Sequence, residues 1–192
     1  MAVTGSERAY DWNRSEDFGR TGVSLTFDLL LALKGQSSWY HTLSVLDVTD
    51  SEDFQKLGID LVWLVKAVTC SCAITIEVKA DRHIKSGNLF FETLSDVERN
   101  TPGAFLATTA EWYFYTFPTI DTVYCLPLLD TREWFINQME NFELRTVKSV
   151  KSNRQWATQG RLVEIARIVA EVPGVRCFRR ERGEWNDWSG IG

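Results

Sequence analysis

Histidine and cysteine are scarce in this chain of 192 residues, with two of the first and four of the second. Cys70 and Cys72 stand too close for an easy bridge, and Cys125 and Cys177 stand alone, so no disulfide framework is expected. That usage fits a reducing, cytoplasmic compartment. A lone C-x-C with only His41 and His83 also lacks the four-ligand spacing of a zinc site. Long apolar runs are missing as well. The stretches at 27–33 and 61–68 are each broken by a charge or end within about ten residues, whereas a bilayer span needs about 20. No basic-then-apolar leader pattern opens the chain. Internal repeats and low-complexity tracts are absent. With 44% hydrophobic and 24% charged residues, the composition excludes disordered, collagen-like and coiled-coil classes. A chain of this length buries about 70% of its unfolded surface and needs no covalent staple. One domain over 1–192 is expected, with frayed ends at 1–14 and 183–192.

Charge is uneven along the chain. Residues 145–182 hold ten Lys and Arg against three Glu, a net +7 inside a chain of net −5. That asymmetry predicts either a polyanion-facing patch or a set of solvated surfaces. If nucleic acid is the partner, Lys148, Lys151, Arg154 and Arg161 are the first candidates to meet its phosphates.

Periodicity predicts a helix over 24–34, capped by Ser24 and stopped by Gly35, and a strand over 43–48. Two β-branched, apolar runs at 59–68 and 73–80 flank a short linker and predict an antiparallel hairpin. Further strands are expected at 88–94, 112–117 and 122–126, and helices near 101–110 and at 131–141. Residues 162–169 fit a helix or a buried strand, the helix slightly better. The order predicts an α/β or α+β sandwich, not regular βαβ winding. Of eight tryptophans, Trp63, Trp112 and Trp134 are expected in the core. Trp185 and Trp188 would pack back or meet another chain.

Chemistry concentrates on the hairpin. Along a strand at 73–80, Ile74, Ile76 and Val78 share one apolar face, and Thr75, Glu77 and Lys79 share the other. Glu77 and Lys79 then lie about 6.6–6.8 Å apart along the strand. A turn centred near 69–71 puts Asp60 opposite residue 78, 79 or 80, so Asp60, Glu77 and Lys79 converge. Two carboxylates, the Val78 carbonyl and waters offer the all-oxygen shell that Mg²⁺ prefers, and Mn²⁺ can take its place. Such a centre suits hydrolysis of a phosphodiester, with Lys79 assisting the water and screening the phosphate. The bland alternative is a partly exposed sheet face with a cross-strand Asp–Lys pair.

Asp60 in GIDLVWLV, seventeen residues before Glu77-Val78-Lys79 in ITIEVKAD, resembles the PD-(D/E)XK nuclease superfamily of restriction endonucleases and Holliday-junction resolvases. Phe54 to Asp60, Ser86 to Glu92 and Ala110 to Pro118 resemble segments of some members, so the likeness spans roughly 43–140. Ile59-Asp60 stands where the family's leading dipeptide is Pro-Asp. The resemblance implies a restriction endonuclease-like core, a central mixed β-sheet of αβββαβ topology flanked by helices, with the helix at 24–34 first. It implies Asp60 and Glu77 as metal ligands, Lys79 as catalytic lysine and DNA as partner, cut by a monomer or a homodimer. Many members add a glutamate from the first helix, for which Glu16 and Asp28 are the candidates. Glu92 would bound the site or meet a second ion. Asn88 would contact a phosphate or close the turn after Gly87, and Gln55 would orient substrate. Asp81 and Arg82 would face the backbone of the nucleic acid or lie in a solvated loop, and His83 reads as a loop residue. The rival readings are a catalytically silent nucleic-acid-binding or assembly module of the same fold, and a plain interaction protein.

Overall fold

The computed structural model describes residues 10–33, 41–66, 70–151 and 154–189, with side chains from residue 17 onward except those of 149–151 and 154. The short strand β1 (Tyr10–Asp11) leads into helix α1 (Trp12–Ala32). Then come β2 (His41–Asp47), the short helix α2 (Glu52–Leu57), β3 (Leu61–Lys66) and β4 (Ser71–Ala80). β5 (Asn88–Asp96), β6 (Thr101–Pro102) and helix α3 (Ala104–Ala107) precede β7 (Trp112–Phe117), β8 (Thr122–Pro127) and α4 (Leu128–Gln138). The chain closes with β9 (Glu143–Lys151), β10 (Arg154–Glu164), α5 (Ile165–Glu171), β11 (Arg176–Glu181) and β12 (Glu184–Asp187).

The fold is mixed α/β. A seven-stranded sheet runs β12-β11-β8-β7-β4-β3-β2, with helices flanking it. Within it β4 and β7 pair in parallel, and the other neighbours are antiparallel. A second sheet runs β1-β9-β10-β5-β6. Alternation along the strands builds two cores. Trp63, Ile74, Ile76 and Phe114 meet Leu29 and Leu30 of α1 on one face of the large sheet. Tyr113, Tyr115 and Phe117 point to the other face, against Leu89 and Phe91 of β5, Phe105 of α3 and Val163 of β10. No helix among the described residues is long and apolar enough to cross a membrane.

Several expectations change. Helix α1 starts twelve residues before Ser24 and runs through Gly19 and Gly22. Gly22 is where the helix presses on the sheet, since a Cβ there would lie 2.7 Å from Thr116 Oγ1 and 2.8 Å from the Ala80 Cβ. Gly19 has open space around it. Gly22→Ala is therefore expected to lower stability by about 1–2 kcal/mol through overpacking, despite the better helix propensity of alanine. Gly19→Ala should raise it by about 0.5–1 kcal/mol. Equal responses in denaturant unfolding would contradict that packing. Residues 162–164 are the end of β10, and the helix begins only at Ile165. Helix α4 begins at Leu128, earlier than 131. The end expected to fray at 183–192 contains β12, and Trp185 packs on the first core under the Arg180 guanidinium. At the other end, Tyr10 and Asp11 pair with Ser149 and Val150, while residues 1–9 lie outside the described ones.

Candidate active site

Gly58 turns the chain out of α2 with φ +66°, and Thr108 presses on it so closely that a Cβ would sit 2.9 Å from the Thr108 Cβ. Asp60 follows, clamped by its main chain: its N–H donates to Ile76 (2.9 Å) and its carbonyl accepts from Val48 (2.9 Å). Leu61 pairs with Ile76, and the Asp60 N–H goes to the same Ile76 carbonyl, so Asp60 lies at an irregularity where the β3–β4 ladder ends. That differs from the expected place opposite 78–80. The apolar residues of β3 are odd-numbered and those of β4 even-numbered, so only an odd register joins them on one face; that parity excludes 78 and 80, and the Leu61–Ile76 pair excludes 79.

Beyond Leu61, β4 has no strand ladder on that edge, and the Asp60 side chain takes the vacant place. Its Oδ2 accepts from the Val78 N–H at 2.8 Å. The N–H and C=O of one strand residue leave on the same edge, so the Val78 carbonyl faces the Asp60 side too. Glu77 projects to the face that carries Tyr113 and Tyr115, as does Lys79. Burial raises the Glu77 carboxyl to about 9, with the Asp60 and Glu92 charges adding to the rise and Lys79 opposing it. Burial also raises Asp60, opposed by the Val78 N–H and helped by Asp47. Two acids with raised pKa values thus act on one another in this part of the sheet.

Glu92 reaches the same place from the second sheet. Its Oε2 lies 3.9 Å from Lys79 Nζ, and its Oε1 accepts from the Ala104 N–H at 3.2 Å. The other candidates go elsewhere. Asn88 closes the turn after Gly87 by donating to the Ser86 carbonyl (3.0 Å), in a cleft with Glu164 and Arg167. The Gln55 amide donates to the Thr49 carbonyl, so it braces the loop after β2 instead of facing the carboxylates. Asp28 pairs with Arg180 at 3.1 Å. Glu16 lies on α1, but its side chain is outside the described residues. Asp81 accepts from the Tyr115 hydroxyl (2.5 Å) and the His83 N–H (2.8 Å), which ties the loop after β4 to the sheet.

The basic segment is largely neutralised in space. Arg161 is 13% exposed, contacts both Glu140 oxygens at 3.0 Å and donates to the Phe142 carbonyl at 2.9 Å. It therefore secures the turn after α4. Arg145, Arg167, Arg176, Arg179 and Arg180 likewise pair with carboxylates. Lys148 is exposed on β9. Lys151 and Arg154 face each other across the β9–β10 hairpin, with side chains outside the described residues.

Sequence reasoning missed Tyr113. Its residue pairs with Glu77 in the parallel β4–β7 register, and its hydroxyl is fully buried with no hydrogen-bond partner among the described residues. The alternation in WYFYTF carried the signal, but only the parallel register puts that tyrosine beside the glutamate.

Among the described residues no three His, Cys, Asp or Glu side chains gather into a cage by themselves. The donors here are two carboxylates and a main-chain carbonyl. That set is all oxygen and suits Mg²⁺, which keeps several waters and is usually held by only one or two carboxylates. Comparison with known protein families, with curated proteins and with solved structures finds no match for this chain.

Proposed function

We propose that this chain is a Mg²⁺-dependent nuclease of the restriction endonuclease-like fold, hydrolysing phosphodiester bonds of DNA. One observation carries the reading: Asp60 is held on the Val78 N–H of β4, its charge acts on the buried Glu77 carboxyl next to Val78, and Lys79 follows on the same face as Glu77. The topology supports it. Taking α1, β2, β3, β4, α3 and β7 in order gives α-β-β-β-α-β, and these strands lie side by side as β2-β3-β4-β7 with the last one parallel. The strands β5 and β6 are additional to that core and deliver Glu92.

Asp60, Glu77 and the Val78 carbonyl would hold Mg²⁺ or Mn²⁺. When bound, the ion acidifies water and neutralises charge developing at phosphorus. Asp60 is oriented by the Val78 N–H, which fixes one oxygen and leaves the other to the ion. Lys79 offers three donors on the same face and is held there by Glu92, where it screens a phosphate oxygen and steadies the attacking water. Lys148, Lys151 and Arg154, all on the β9–β10 hairpin, would meet phosphates away from the scissile bond.

The test is incubation of the purified protein with duplex, branched and single-stranded DNA and with RNA, in Mg²⁺, in Mn²⁺ and in chelator. Cleavage of a DNA form in either metal and none in chelator is expected. Binding without cleavage in both metals would favour the silent binding or assembly module. Absence of both would leave an interaction protein whose Glu-x-Lys is accidental.

A further inference from the structure

We infer that the Tyr113 hydroxyl is the outer partner of the Glu77 carboxylate, donating a hydrogen bond that orients this ligand when the cation is held. The inference rests on the metal centre proposed above and assigns Tyr113 a positioning role. Tyr113 and Glu77 are direct neighbours on parallel strands, with side chains on the same face. The Tyr113 ring has little freedom: Phe105 meets it edge-on at 5.3 Å and 89°, and Phe91 at 6.3 Å and 86°. Its hydroxyl is buried without a hydrogen-bond partner among the described residues, a state that folded proteins rarely keep without a use.

The next tyrosine on the same face makes the contrast. The Tyr115 hydroxyl donates to Asp81 at 2.5 Å and accepts from the Phe90 N–H at 2.9 Å, so it is satisfied on both sides. The acid groups that act on the Tyr113 phenol are, in order, Glu77, Glu92, Asp60 and Asp81. Glu92 already has one oxygen on the Ala104 N–H and the other beside Lys79. Asp60 is engaged by Val78, and Asp81 by Tyr115 and His83. Glu77 is the acid that stands directly beside Tyr113 in the strand register. A phenol carries its proton at neutral pH, so it is a donor to a carboxylate. A carboxylate has about four lone-pair sites, so a cation on one side leaves room for a donor on another. Partners of this kind fix a ligand's orientation, and their loss typically weakens metal affinity about 10–100-fold.

The experiment is Tyr113→Phe, measured by calorimetric titration with Mg²⁺ alone and by thermal unfolding in chelator. Mg²⁺ affinity should fall about 10-fold or more. The metal-free Tm should hold or rise by about 2–4 °C, because the substitution removes an unsatisfied buried hydroxyl. Tyr115→Phe should do the reverse: a lower Tm at unchanged Mg²⁺ affinity. Wild-type affinity in Tyr113→Phe, or a lowered metal-free Tm, would overturn the role of Tyr113. A wild-type protein that takes up no Mg²⁺ would instead overturn the metal centre, and this inference with it.

Discussion

Asp60→Asn and Lys79→Ala are each expected to cut Mg²⁺-dependent cleavage by about 10³-fold or more while the protein stays folded. The two substitutions remove different things. Asparagine keeps an oxygen that accepts from the Val78 N–H, so the β4 edge remains capped and only the ligand charge is lost. Because burial already disfavours the Asp60 charge, the neutral amide should leave stability unchanged or higher. Lys79→Ala removes the donor beside the carboxylates, and loss of one such electrostatic or proton-handling group typically costs about 10²–10⁴-fold. Glu92 still accepts from Ala104, so the second sheet stays docked. Single-turnover rates at saturating DNA, with circular dichroism as the folding check, separate the two effects. Near wild-type cleavage by pure Asp60→Asn protein would place the metal elsewhere.

The site was more legible in the sequence than the fold around it. Alternation in ITIEVK assigns faces without any structure, and it holds: Ile74 and Ile76 are buried in the first core and Glu77 points away. The same alternation, applied to both strands of the hairpin, is what fixes an odd register. Helix α1 was half missed because its first half contains two glycines and few apolar residues, and propensity rules penalise both. The reason for Gly22 is its contact with Ala80 and Thr116, nearly 60 and more than 90 residues away. Periodicity assigns no element to 143–161, where the β9–β10 hairpin lies: its strands carry many charges, and Gly160 sits at a register shift against β5. Charge along the chain differs from charge in space for a physical reason. The partners of Arg161, Arg176 and Arg180 include Glu140, Asp187 and Asp121, which lie outside the basic segment and neutralise it only after folding.

Glu77→Gln should stabilise the metal-free protein at neutral and alkaline pH and erase its response to Mg²⁺. The ordinary value for this carboxyl is 4.5, and in the fold it rises to about 9. Between those values the folded chain holds a proton that the unfolded chain has released, so unfolding free energy falls as pH rises. The contribution is fully present below about 4.5 and is lost progressively toward about 9. The slope is at most about 1.4 kcal/mol per pH unit for one proton. Asp60 is raised as well and adds with the same sign. Glutamine cannot ionise, so the variant should show a flatter stability profile between pH 5 and pH 8 in chelator, by at most about 4 kcal/mol over the interval. Groups that titrate elsewhere are common to both proteins and cancel in the difference. Mg²⁺ at 100 times its dissociation constant should stabilise the wild type by about 2.7 kcal/mol, because it binds the folded state and supplies the charge that the buried acids lack. Without the Glu77 charge that stabilisation should largely vanish. Parallel pH profiles for the two proteins would mean that Glu77 is not the buried acid described here. An undiminished Mg²⁺ shift in the variant would remove it from the ligand set.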